Sequence, residues 1–143
     1  MAGYSGTPLL KKLGIKQGFT VSFVNAPKQF PQELGALPAD VTVTTKLTKP
    51  VDLAILFAPS KKSLARDFSK LARKLLSTGI LWVAWPKKSS GVSTDLSFAS
   101  VQEIGLKAGL VDVKICAIDE VWSGLKFVYR LRDRPAAKMK RRN

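Results

Sequence analysis

The sequence has 143 residues, 45% apolar and 24% charged, with a formal net charge of +14; this is enough chain for one compact core and too little for two. It contains no histidine, which excludes a Ser/His/Asp triad, a Cys/His pair and a histidine metal site, and no metal is expected. No apolar run approaches the roughly 18 residues of a membrane span, the single Cys116 has no partner for an internal disulfide, and MAGYSGTP lacks the regions of an export signal, so a cytoplasmic protein without a membrane is expected.

Thr7, Pro8 and Gly14 bracket Leu9 to Leu13 as N-cap, first helical residue and stop, predicting a short leading helix. Phe19, Val21 and Phe23 alternate with Thr20 and Ser22 before Asn25-Ala26-Pro27, which predicts a strand running into a turn. Between Lys28 and Asp40, the breakers Pro31, Gly35 and Pro38 leave room for one helical stretch, Gln29 to Leu34. Val41 and Val43 alternate with Thr42 and Thr44, predicting an edge strand with one dry face, whereas Leu53 to Ala58 is apolar on both faces and belongs mid-sheet.

Ser60 caps a predicted helix with apolar positions Leu64, Phe68, Leu71, Leu75 and Leu76, and Gly79 is its expected left-handed stop. Ile80 to Trp85, ended by Pro86, then completes a strand, helix, parallel strand unit, for which a right-handed crossover is expected. After a polar loop from Lys87 to Asp95, the residues Phe98, Val101, Ile104 and Ala108 share a helical face that Gly109 ends. Val111, Val113, Ile115 and Ala117 alternate, Asp119 to Gly124 turns, and Leu125, Phe127, Tyr129 and Leu131 alternate again, predicting a closing hairpin. The pattern is that of an α/β three-layer sandwich with helices on both sheet faces, spanning residues 1–132 and followed by a basic, flexible tail over 133–143.

The segments GYSGTPLLKKLGIK, LWVAWPKKSSGVSTDL and GLVDVKICAIDEVWSGLKFV, together about a third of the chain, resemble a small bacterial family, a domain of unknown function. Its architecture is similar to the Rossmann-like fold of S-adenosylmethionine methyltransferases. That resemblance implies a mostly parallel sheet with a C-terminal antiparallel hairpin, in the order 2-1-3-4-6-5. It also implies a glycine-rich turn after the first strand and an acid at the end of the second to hold the ribose. Asn25-Ala26-Pro27-Lys28 and Thr44, Thr45 and Lys46 stand at those places, so adenosylmethionine bound in the usual manner is not expected, and no cofactor is assigned.

In open α/β sheets the ligand crevice lies beyond the carboxyl ends of the strands. The segments Asn25 to Lys28, Pro59 to Lys61 (with Ser60), Pro86 to Asp95 and Asp119 to Gly124, with Gly3 to Pro8 as a candidate fifth, should converge there. Lys87, Lys88, Ser89 and Ser90 before Gly91 combine ammonium groups, hydroxyls and a flexible backbone suited to a phosphate or carboxylate, against the plainer reading of a solvated loop. Asp119 and Glu120, near Trp122 and Lys126, could shift one another's protonation, or simply form a water-facing turn pinned by the indole.

Lys61, Lys62, Arg66, Lys70, Arg73 and Lys74 face a single acid, Asp67, along one helix; with Lys140, Arg141 and Arg142 of the tail they could track RNA or DNA phosphates without sequence preference. Cys116 and Trp82 read as core. The residues point to a module binding a small anionic ligand or partner group at the strand ends, with no identifiable catalysis. The alternatives are a nucleic-acid-associated accessory protein and a diverged methyltransferase-like enzyme. No reaction and no oligomeric state is legible in this pattern.

Overall fold

The computed structural model describes residues 8–46 and 48–131. Six strands form one sheet: β1 (Thr20–Val24), β2 (Thr42–Val43), β3 (Val51–Phe57), β4 (Leu75–Pro86), β5 (Leu110–Ala117) and β6 (Trp122–Tyr129). Their order is β2-β1-β3-β4-β6-β5, the order expected above. The first four strands run parallel, while β6 is antiparallel to both β4 and β5. The chain leaves β1 for β2 on one side and returns to β3 on the other, so a topological switch point lies between β1 and β3.

β3 is buried along almost its whole length, because its Leu, Ile, Ala and Phe side chains serve two cores with the period of two that a pleated strand imposes. Ala54, Leu56, Leu81, Val83 and Trp85 pack on the side of α3 (Lys61–Arg73) and α4 (Phe98–Lys107). Leu53, Ile55, Phe57, Trp82 and Ala84 pack on the side of α1 (Leu9–Leu13) and α2 (Phe30–Leu34). Trp82 is fully buried, and its indole N–H donates to the Leu13 carbonyl at 2.8 Å, fastening the end of α1 to the centre of the sheet. On the other side Tyr129 donates its hydroxyl to the Ala72 carbonyl near the end of α3. Ser60 and Ser97 open α3 and α4 as capping boxes, each exchanging bonds with a serine three residues on.

Several local expectations are corrected. Pro8 occupies the N-cap of α1 rather than its first turn, and Thr7 lies outside the described residues. The helix begun at Ser60 ends at Lys74, and Leu75 and Leu76 belong to β4. The Val51 N–H bonds the Lys74 carbonyl at 2.7 Å and Val51 pairs with Leu75, so strand pairing captures a stretch whose spacing is helical. Gly79 consequently sits inside β4, in the irregularity between the Val51 and Leu53 pairings, and not in a left-handed stop. A Cβ there would come within 2.9 Å of the Leu76 carbonyl oxygen and 3.2 Å of that of Asp52, so close backbone approach explains the glycine.

At the edges, β2 has two exposed residues and no dry face, with Val43 47% exposed. Val113 bulges out of the β5 ladder and is 54% exposed, and Ile115 is 51% exposed; among the described residues no layer covers these two side chains. Phe98, on the first turn of α4, and Leu131, beyond β6, are likewise not in the core.

Gly105 on α4 rests against Phe127 of β6, where a Cβ would lie 2.0 Å from the ring. Gly105→Ala is expected to cost about 1–3 kcal/mol in urea unfolding through overpacking, with Phe127→Leu recovering much of the loss. The Ser77 hydroxyl is buried and has no hydrogen-bond partner among the described residues. Ser77→Ala is therefore expected to leave stability unchanged or raise it by up to about 1 kcal/mol in the same measurement.

Candidate functional site

The parallel register brings the loop ends to one edge. Val24 pairs with Leu56, Phe57 with Ala84, and Pro86 with Trp122, so the segments after β1, β3 and β4 and the turn before β6 share the carboxyl edge of the sheet. The sheet nevertheless divides this edge into two sides of different character.

On the α3/α4 side lies an open depression of about 670 Å³. Its apolar part is formed by Trp85, Pro86, Leu96, Phe98, Ala99 and Ile115, and Lys87, Lys88, Ser89, Ser97 and Ser123 complete the lining. Trp85 faces this side because it lies an odd number of residues from Trp82 along β4; the two indoles thus serve different layers. One turn of 3-10 helix, Lys88–Ser90, ends at Gly91 with φ 79°, the left-handed conformation that glycine adopts without strain. The Lys87 N–H bonds the Val121 carbonyl at 2.7 Å, while the Lys87 carbonyl accepts from both the N–H and the hydroxyl of Ser90. The backbone that carries the two lysines is therefore held from both ends, and neither ammonium is in an ion pair among the described residues.

The α1/α2 side is closed by rings. Phe23, Phe30, Phe57 and Trp122 follow one another edge to face, with centroids 5.0–5.2 Å apart. Trp122 is thus a packing residue on Phe57 and does not line the depression. Asp119 Oδ1 accepts the N–H groups of Val121 and Trp122, each at 2.8 Å, closing the turn between β5 and β6. Glu33 of α2 meets Asp119: partial burial, then the hydrogen bond to Asp119 and its negative charge, push the Glu33 carboxyl from 4.5 up to about 7. Glu120 is exposed.

Of the residues singled out from the sequence, Lys87, Lys88 and Ser89 line the depression together. The Ser90 hydroxyl is used within its turn, and the Ser60 hydroxyl caps α3. Asn25 is exposed just beyond β1 with φ 59°, a left-handed conformation that asparagine tolerates. Lys62, Arg66, Lys70, Arg73 and Lys74 are exposed along α3, and the Arg66 guanidinium is paired with Asp67 at 3.1 Å. Lys140, Arg141 and Arg142, like Gly3 to Thr7, lie outside the described residues. Cys116 is half-buried, and burial raises its thiol pKa above the usual value against the pull of Lys12 and Lys114.

The contributions of Phe98, Ile115 and Ser123 are absent from the sequence reading, since apolar residues at helical or alternating spacing read as core. The Glu33–Asp119 meeting is absent for a different reason: it joins positions 33 and 119 through folding alone.

No protein-family model and no curated protein matches the chain. Several solved structures are similar to it. The ribosomal protein L11 methylase from Lactobacillus delbrueckii subsp. bulgaricus is 11% identical, with TM-score 0.57 over 85% of this chain and 75% of that one. The magnesium protoporphyrin IX methyltransferase from Synechocystis PCC 6803, with bound SAM, is 14% identical, with TM-score 0.55 over 85% and 74%. A SAM dependent methyltransferase from Aquifex aeolicus is 16% identical, with TM-score 0.53 over 83% and 86%. At such identities the likeness is one of fold, and the chain has a Rossmann-like, methyltransferase-like fold.

The Glu33 carboxyl gives a pH signature. A folded pKa raised above the unfolded value contributes stability that is complete below about 4.5 and disappears as pH rises through about 7. Between those limits the stability of the natural protein is expected to fall relative to Glu33→Gln, measured by urea unfolding at successive pH values. Parallel curves for the two proteins would dismiss the carboxyl pair.

Proposed function

We propose that the protein is a diverged methyltransferase-like protein that binds a planar apolar ligand bearing a phosphate or carboxylate in the depression at the carboxyl end of β4. The observation that carries this reading is the juxtaposition of Trp85, Leu96, Phe98 and Ile115 with Lys87 and Lys88 in one concavity. Covering one face of an aromatic ring, on the order of 100 Å², contributes about 2.5 kcal/mol at the usual area coefficient. Two ammonium groups without an ion pair among the described residues, on a fastened turn, supply charge-assisted bonds to an anionic substituent and orient it.

The residues present do not fit adenosylmethionine in its usual place. The turn after β1 carries Asn25, Ala26, Pro27 and Lys28 with no glycine, and Thr44, Thr45 and Lys46 follow β2 where an acid would meet the ribose. Phe30 and Phe57, almost fully buried, pack at this edge on the α1/α2 side. No methyl-transfer step is therefore derived. Asp119 is committed to its turn, which favours a binding role over acid catalysis at that carboxylate.

Thermal unfolding with phenyl phosphate tests the reading. At 100 times its dissociation constant a ligand stabilises by about 2.7 kcal/mol, a shift on the order of 8 °C for a chain of this length. Phenyl phosphate is expected to raise Tm, phenol to raise it less, and S-adenosylmethionine to leave it unchanged. Lys87→Ala combined with Lys88→Ala should remove most of the phenyl phosphate shift; an undiminished shift in that variant, or no shift in the natural protein, overturns the assignment.

A further inference from the structure

A second basic cluster lies on the opposite face of the sheet from the depression. Lys114 of β5 and Lys126 of β6 are direct cross-strand partners, and Lys126 is in turn the partner of Trp82, which faces α1. Both lysines are therefore on the α1 side of the closing hairpin. Burial, then the charges of Lys114 and Lys16, hold the Lys126 ammonium below the ordinary lysine value. Lys12, on the last turn of α1, acts together with Lys114 on the neighbouring Cys116. None of these four lysines is in an ion pair among the described residues.

Like charges placed directly opposite on a sheet destabilise it, and the half-buried Lys126 adds a desolvation cost. A long side chain lying along apolar surface accounts for the burial of the Lys126 stem. It does not account for a second lysine as its cross-strand partner, a third whose charge acts on it and, among the described residues, no ion-paired carboxylate. An anion with several negative oxygens, placed among them, would turn mutual repulsion into charge-assisted bonding. Four ammonium groups distributed over two strands, α1 and the loop that follows it, with strands about 4.8 Å apart, suit consecutive phosphates better than one.

We propose that Lys12, Lys16, Lys114 and Lys126 form a polyphosphate-binding patch on the α1 face of the β5–β6 hairpin, separate from the strand-end depression. The phosphates of a nucleic-acid backbone and those of a free inorganic polyphosphate share this chemistry.

The full chain is assayed by thermal unfolding with inorganic tripolyphosphate at 50 and 300 mM salt, and by fluorescence anisotropy with a twelve-nucleotide RNA. Tripolyphosphate is expected to raise Tm at low salt and to lose most of its effect at high salt. Lys114→Gln combined with Lys126→Gln should unfold at a higher temperature than the natural protein when no ligand is present, yet bind tripolyphosphate about tenfold more weakly. That opposition is not expected of lysines with a structural role. Lys107→Gln, on α4 across the sheet, serves as the charge control and should bind as the natural protein does. Lys87→Ala with Lys88→Ala should also keep the response; its loss there instead would place the anion in the depression and overturn the patch.

RNA binding that weakens in the Lys114/Lys126 variant and is competed by tripolyphosphate assigns the patch to nucleic acid. RNA binding that the variant leaves intact, alongside lost tripolyphosphate binding, assigns it to free polyphosphate. No tripolyphosphate effect at 50 mM salt, or equal effects in variant and natural protein, overturns the proposal.

Discussion

The parallel pairing of β3 with β4, dry on both faces, is the constraint on which the remaining structure depends. Its register from Leu53–Ile80 to Phe57–Ala84 aligns the strand ends, and the alternation of β4 residues assigns Trp82 to one layer and Trp85 to the other. Burial on both faces leaves no solvent face to which these strands could slip without cost. The irregularity at Leu75–Gly79 takes up the surplus length of β4 before the regular register begins. Close backbone approach at Gly79 allows this without a side chain in the way.

The two sides of the carboxyl edge follow from this division. On the α1/α2 side, four aromatic rings in edge-to-face contact carry the hydrophobic layer out to the turn before β6. On the α3/α4 side, α4 begins only at Phe98 and β5 is an edge strand, so the exposed Phe98 and Ile115 border a concavity whose floor is closed by the buried Trp85 and Leu96. A methyltransferase-like sheet thus presents a packed edge at the β1/β3 switch point and an open one beside β4. The basic residues add to the contrast: Lys87 and Lys88 border the open side, whereas Lys114 and Lys126 stand on the far face of the hairpin. The excess positive charge of the chain is accordingly spread over separate surfaces, and each would act on its own neighbourhood.

Legibility varied with the kind of information each feature requires. The central strands, α1, α2, the capping serine of α3 and the closing hairpin all follow from local spacing and turn residues, and the resemblance supplied the strand order. Lys87, Lys88 and Ser89 were legible as site candidates because a polar loop after an apolar strand must emerge at the carboxyl edge. Ser90 was legible as a polar residue, but its engagement with the Lys87 carbonyl was not. Leu75 and Leu76 illustrate the limit: their spacing continues the apolar stripe of α3, but a long-range partner, Val51, claims them for the sheet.

By itself the sequence determined the class of fold, the two-faced burial of the central strands, the absence of histidine chemistry and the charge excess, because these depend on composition and near-neighbour periodicity. Tertiary structure alone decided that Phe98 and Ile115 border a concavity, that Glu33 meets Asp119, and that Lys114 faces Lys126. Periodicity reports which residues share a face of one element. Whether another layer covers that face, and which distant residue stands opposite, is set by packing between segments far apart in the chain.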